Sequence, residues 1–204
     1  MRTELISMDV AFIVALLPDG RLSREIAALS DRMAKEYGIR ATHVKLPPHL
    51  SLFFRDRMRA ADAKRVSKLL ESDCMKLTPF TVGMDGIGYF TKAHGRTEYT
   101  VYLRVGIDSE LLELHRLVDS RTRAYAKVRF KAFVPHVTVA HDGLDKTGFL
   151  AINRDYEGFR FRRSFEAKVL SVGVQKDDAS QWRFKEFDFS ARSAPRTSAR
   201  TRAL

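Results

Sequence analysis

The sequence predicts an α+β fold built on a single internal duplication, and three observations predict it. Short apolar runs rich in strand-forming residues alternate with stretches whose apolar side chains recur every three or four positions. A strand, a helix and a second strand then occur in that order twice. The second strand of each unit also carries one motif: Pro48-His49-Leu50-Ser51-Leu52 in the first, Pro135-His136-Val137-Thr138-Val139 in the second. Two copies make a duplication, not a solenoid.

Residues 10–17 (VAFIVALL) read as a buried central strand, ended by Pro18-Asp19-Gly20. In the helix that follows, Leu22, Ile26, Leu29, Met33 and Tyr37 share one face, and Gly38 stands where a C-terminal cap belongs. The first motif strand is expected from about Lys45 to Phe54. Residues 57–72 suit a second helix with Asp56 as cap and Val66, Leu69 and Leu70 inward.

Residues 79–90 (PFTVGMDGIGYF) read as a strand bent at its glycines, and residues 98–105 (EYTVYLRV) as the next, joined through 92–96. Asp108 caps a third helix that places Leu111, Leu114, Val118 and Tyr125 on one side; the second motif strand then runs from about Phe133 to Ala140. Residues 145–154 suit a short helix, and 161–175 with 182–189 alternate as a closing hairpin around Asp177-Asp178. The expected organisation is one domain over 1–190, with repeats at 9–90 and 97–176 and a closing strand at 181–189. Residues 191–204 carry Arg192, Arg196, Arg200 and Arg202 and no acid, and are expected to form a disordered basic tail.

With 204 residues, 45% of them hydrophobic, the chain can fill a sizeable core. Lys and Arg number 36 against 25 Asp and Glu, a net charge of +11 that favours polyanionic partners such as nucleic acid. Cys74 is the sole cysteine, which excludes an intrachain disulfide and a cysteine zinc knuckle and suits a cytoplasmic location. The 10–17 run is too short to span a membrane and is preceded by Glu4 and Asp9 instead of a basic segment, so no membrane association is expected. A monomer is expected.

In a strand, side chains at i and i+2 share a face, so His49 stands with Ser51 and His136 with Thr138. Two imidazoles suffice to break a phosphodiester with no cofactor or metal. A neutral one takes a proton from the nucleophile, and a protonated one gives a proton to the leaving oxygen. Ser51 and Thr138 would donate hydrogen bonds to the non-bridging oxygens. The competing readings are a metal-dependent hydrolase and a non-catalytic RNA-binding module that stacks bases on Phe53, Tyr89 or Phe90. Spacing opposes the metal: His136 and His141, five apart, fall on opposite faces of a regular strand. His43, His94 and His115 lack such neighbours and read as hydrogen-bonded core histidines.

The doubled His-x-Ser/Thr motif resembles that of the two-histidine (2H) phosphoesterase superfamily. Gly-Ile-Gly-Tyr-Phe at 86–90, the strand EYTVYLRV and the hairpin end Trp182-Arg183-Phe184-Lys185-Glu186-Phe187 are similar to its 2′-5′ RNA ligase and cyclic phosphodiesterase branch. The resemblance covers roughly residues 8–190. It implies a bilobal, pseudo-twofold arrangement of antiparallel sheets lining a central cleft, with helices outside. It also implies 2′,3′-cyclic phosphate ends or 2′-5′ linkages of RNA or nucleotides as substrates, and ligation as the reverse reaction. One position departs: members of the ligase branch often carry an Arg five residues after the second motif histidine, thought to contact phosphate, and here that residue is His141. Arg55, on the face of His49, Ser51 and Phe53 in a regular strand, is the candidate to replace its charge.

Overall fold

A computed structural model describes residues 9–91, 99–125, 133–177 and 181–190. The elements run β1 (Asp9–Leu16), α1 (Gly20–Tyr37), β2 (Leu50–Arg59), α2 (Ala60–Cys74), β3 (Phe80–Phe90), β4 (Thr100–Val105), α3 (Ser109–Thr122), β5 (His136–Ala140), α4 (Lys146–Asp155), β6 (Arg163–Ala167), β7 (Val169–Gln175) and β8 (Arg183–Asp188). The fold is α+β, as the periodicities predict. The basic tail at 191–204 and His94 lie outside the described residues.

All eight strands join one antiparallel sheet in the order β6-β3-β4-β5-β2-β1-β7-β8. From the central β2–β5 seam outward, one half reads β2-β1-β7-β8 and the other β5-β4-β3-β6. The two strand-helix-strand units, β1-α1-β2 and β4-α3-β5, therefore stand symmetrically about the seam. The following strands are exchanged: β3 joins the second unit's half and β7 the first's. Lys168 alone separates β6 from β7, so Ala167 and Val169 lie within about 7–8 Å although their strands are first and seventh in the sheet. The sheet must curl to allow this, and Phe80 of β3 stacks on Phe189 beyond β8 with centroids 6.3 Å apart.

One face of the sheet carries the helices. Val10, Phe12, Val14 and Leu16 of β1 point into that core, as do Val101, Leu103 and Val105 of β4. Asp19 caps α1 by accepting from the backbone N–H of Arg21 (2.9 Å) and Leu22 (3.0 Å), and Leu22, Ile26, Leu29 and Met33 are buried beneath it. Each such side chain stabilises the docking by about 1.5–3 kcal/mol. Asp73 at the end of α2 is buried and accepts from Arg121 Nε (2.8 Å) and Nη2 (3.1 Å), tying α2 to α3.

Several boundaries differ from expectation. The first motif strand begins at Leu50, because Thr42–Val44 form a 3-10 turn and Pro47 and Pro48 have no N–H to give a ladder; the second begins at His136, after Pro135. β2 then runs on to Arg59, because Met58 and Arg59 pair with Val10 and Asp9. This pairing overrides the helix expected from residue 57, and the Asp56 carboxylate accepts from Arg57 N–H without capping α2. Leu69, expected inward, is exposed. The run 161–175 is two strands: β6 pairs with β3, and only β7 forms the closing hairpin with β8.

Candidate active site

Each motif histidine is held by the backbone just before it. Nδ1 of His49 lies 2.8 Å from the Pro47 carbonyl, and Nδ1 of His136 lies 2.8 Å from the Val134 carbonyl. A carbonyl only accepts, so Nδ1 carries the proton in both rings and Nε2 is left for chemistry. Burial lowers the pKa of His49 below its ordinary value of 6.5, against the raising effect of the Pro47 carbonyl and with added repulsion from a charged His136. Burial lowers that of His136 as well, opposed by the Val134 carbonyl. Burial thus favours the neutral form of both imidazoles.

Ser51 stands opposite Ala15 of β1, and Thr138 opposite Tyr102 of β4. Immediately after each hydroxyl the ladder slips by one residue. Leu52 is passed over between the pairs Ala15–Ser51 and Val14–Phe53, and Val139 between Tyr102–Thr138 and Val101–Ala140. Each slip is a β-bulge, and it turns the rest of the strand over. Both bulged residues, with Phe53 and Ala140, face the helix core.

The bulges reassign the flanking candidates. Phe53 lies edge-on to Phe12 at 6.2 Å on the helix side, and Phe54 takes its place on the histidine face. Arg55 pairs with Phe12, so it too leaves the face of His49; its Nε donates to the Arg57 carbonyl at 2.9 Å and its buried Nη1 has no hydrogen-bond partner among the described residues. His141 moves the other way. Its Nδ1 is 3.1 Å from Thr100 Oγ1 and 3.3 Å from the Tyr99 carbonyl, and Thr100 shares the face of Tyr102 and Thr138. The expectation that His136 and His141 occupy opposite faces fails, because it assumed a regular strand.

Aromatic rings floor the site. Phe90 and Tyr102 each approach the His136 ring at 5.1 Å and each other at 4.4 Å. Tyr102 lies over β3 at Gly88, where a Cβ would fall 2.4 Å from the tyrosine ring. Tyr89 is on the helix side against Phe149 at 5.6 Å. Beside His49 the rings stand further out: Phe54, 54% exposed, lies 6.4 Å from Trp182, which lies 6.3 Å from Phe184. Phe54, Tyr102, Trp182 and Arg104 were given no role in the site from the sequence. Alternation along Thr100, Tyr102 and Arg104 was the available signal for two of them.

His43 contacts Asp31 at 3.6 Å and His115 stacks on Phe133 at 3.8 Å, both away from the motifs. Among the described residues no three His, Cys, Asp or Glu side chains gather as a metal site would require, and no helix is long and apolar enough to cross a membrane.

Two histidine–hydroxyl pairs, each followed by a bulge, are thus set on the helix-free face of one curled antiparallel sheet. Residues 18–180 match the family model described as 2′-5′ RNA ligase superfamily, and the chain belongs to that family. Solved structures share the fold. Escherichia coli LigT complexed with 3′-AMP superposes with a TM-score of 0.60 at 17% identity, over 90% of this chain and 99% of that one. TT0787 of Thermus thermophilus gives 0.67 at 13% identity, over 90% of this chain and 100% of that one. A phosphoesterase gives 0.64 at 15% identity, over 90% and 99%. No curated protein matches the sequence.

Proposed function

We propose that the protein is a metal-independent phosphodiesterase acting on 2′,3′-cyclic phosphate ends of RNA or nucleotides, with His49 and His136 as general acid and base, and that an RNA 5′-hydroxyl attacking in place of water gives reversible 2′-5′ ligation. The observation that carries this reading is the repeated anchoring of Nδ1 by the carbonyl two residues back, which leaves two Nε2 atoms free beside two hydroxyls. The neutral imidazole removes a proton from water, whose oxygen forms the new bond to phosphorus. The protonated imidazole gives its proton to the ribose oxygen as that P–O bond breaks. A phosphate anion between the rings favours charging one of them, offsetting the burial that disfavours it. Ser51 and Thr138 hold the non-bridging oxygens.

Crystals of LigT with 3′-AMP, with phosphate, with ATP and with NADP+ are consistent with a site of this kind taking nucleotides and phosphate. The test is incubation of EDTA-treated protein with 2′,3′-cyclic and 2′-5′-linked substrates, separating 2′- from 3′-phosphate products. Turnover in EDTA is expected. Turnover restored only by zinc or manganese would establish the metal-dependent reading instead, and RNA binding without turnover would establish the binding module.

A further inference from the structure

Arg104 pairs directly with His136 across β4 and β5, so the two side chains leave neighbouring strands on the same face. Its guanidinium lies above Gly86 of β3, one strand further out, where a Cβ would stand 3.4 Å from Nη2 and 3.9 Å from Cζ. Gly86 has φ of 70°, a conformation that suits glycine, and the cation lies within van der Waals contact of the position its Cβ would take. Arg104 is exposed and has no acidic partner within salt-bridge distance among the described residues.

The positive charge continues outward. Asp85, next to Gly86, is shared by Arg160 Nη1 at 3.5 Å and Arg162 Nε at 3.5 Å, all three largely exposed. Val82, Met84 and Ile87 of β3 enter the core, which puts Asp85 on the opposite face, that of Gly88 and Tyr102. Arg160 and Arg162 thus share one carboxylate toward the β3–β6 edge, with Arg104 nearer His136. A mononucleotide cyclic phosphate, held between the histidines, would leave these groups unused.

We propose that Arg104, followed by Arg160 and Arg162, is a track for the non-reacting phosphates of an RNA strand leaving the site on the His136 side, making the protein selective for oligonucleotides over mononucleotides. This rests on the function proposed above. Arg104 lies one strand beyond the reacting phosphate, where the adjacent phosphodiester of a bound strand would pass. Guanidinium suits it because the fork binds phosphate in two places and stays charged at every relevant pH.

The experiment compares Arg104→Ala and the Arg160→Ala/Arg162→Ala pair with wild type, after checking melting temperature. Turnover is measured on a cyclic mononucleotide and on a pentanucleotide ending in 2′,3′-cyclic phosphate. Affinity is measured separately, by anisotropy, for a labelled pentanucleotide ending in 3′-phosphate. Arg104→Ala is expected to cost the pentanucleotide about tenfold more in kcat/KM than the mononucleotide. It should also reduce the slope of log affinity against log salt by about 0.7, the value of one phosphate contact to a single strand. Arg104→Lys should keep the salt slope and recover part of the affinity. Equal losses on both substrates would overturn the track and put Arg104 on the reacting phosphate; an unchanged salt slope would overturn it outright. If wild type turns over neither substrate while the slope still depends on Arg104, the activity falls and the track stands.

Discussion

Leu50 of β2 stands directly opposite Val137 of β5, and both are fully buried toward the helices. Continuing that antiparallel register by one residue in each direction sets Ser51 against His136 and His49 against Thr138. Each imidazole therefore neighbours the hydroxyl of the other motif. The four groups occupy the corners of one patch, whose position follows from a pair of apolar residues on the far side of the sheet.

If the two rings divide acid and base between them, His49→Gln and His136→Gln should each lower kcat by at least about 10²-fold, with melting temperature close to wild type. The double variant should cost little more than the worse single one, because groups that act as a unit are not additive. A single variant that retains full turnover would remove that histidine from the mechanism.

The elements that could be read from the sequence were those set by local chemistry. α1 shows its apolar period and its Asp19 cap within its own residues, and the repeated motif needs no knowledge of partners. The bulges at Leu52 and Val139 are different: a slip belongs to a pair of strands, and nothing in Ser51-Leu52-Phe53 alone reveals that Val14 and Ala15 lie opposite. Phe53 and Arg55 were assigned to the cleft face by a regular alternation that the bulge breaks. Residues 161–175 likewise alternate without interruption, while pairing decides that Lys168 divides the first strand of the sheet from the seventh. Alternation puts Arg104 on the face of Thr100 and Tyr102, but only the pairing shows that it stands across from His136.

The pH dependence follows from the lowered histidine pKa values. Burial holds His49, His136 and also His115 below 6.5 in the folded protein. Between those lowered values and 6.5 the unfolded chain binds more protons than the folded one, so stability rises with pH through that window and is lost as pH falls below 6.5. Melting temperature should drop between pH 7.5 and 5.5, and less so in His136→Gln. For activity, kcat/KM reports the free protein and should trace a bell centred below 6.5. The kcat profile should lie at higher pH, because bound phosphate favours the imidazolium. A kcat/KM maximum above pH 7 would contradict the buried, neutral state of both rings.

The Tyr102 ring occupies the space above Gly88, so Gly88→Ala should displace it from beneath His136. A Cβ at 2.4 Å from the ring cannot be accommodated without movement. The overpacking cost of about 1–3 kcal/mol outweighs the roughly 0.5–1 kcal/mol that alanine gains over glycine in backbone entropy. Lower melting temperature and lower kcat are expected together. Wild-type values of both would mean that Tyr102 does not rest on β3.

Phe54, within β2, and Trp182, just before β8, form a partly exposed aromatic pair on the His49 half of the face with centroids 6.4 Å apart. Phe54 faces this way only because of the bulge at Leu52, and Trp182 is backed by Phe184 at 6.3 Å. A nucleobase bound beside His49 would find a planar apolar surface here, whereas on the other half Phe90 and Tyr102 are packed against His136 itself. Stacking one base on such a ring stabilises binding by about 1–3 kcal/mol. Phe54→Ala and Trp182→Ala should therefore each weaken binding of a nucleotide by roughly 5- to 150-fold, while leaving binding of inorganic phosphate unchanged. Phe53→Leu, on the helix side, should alter stability and not nucleotide affinity. Calorimetric titration with 3′-AMP and with phosphate separates the cases: equal losses for both ligands would show that the pair supports the fold of the cleft and does not hold a base.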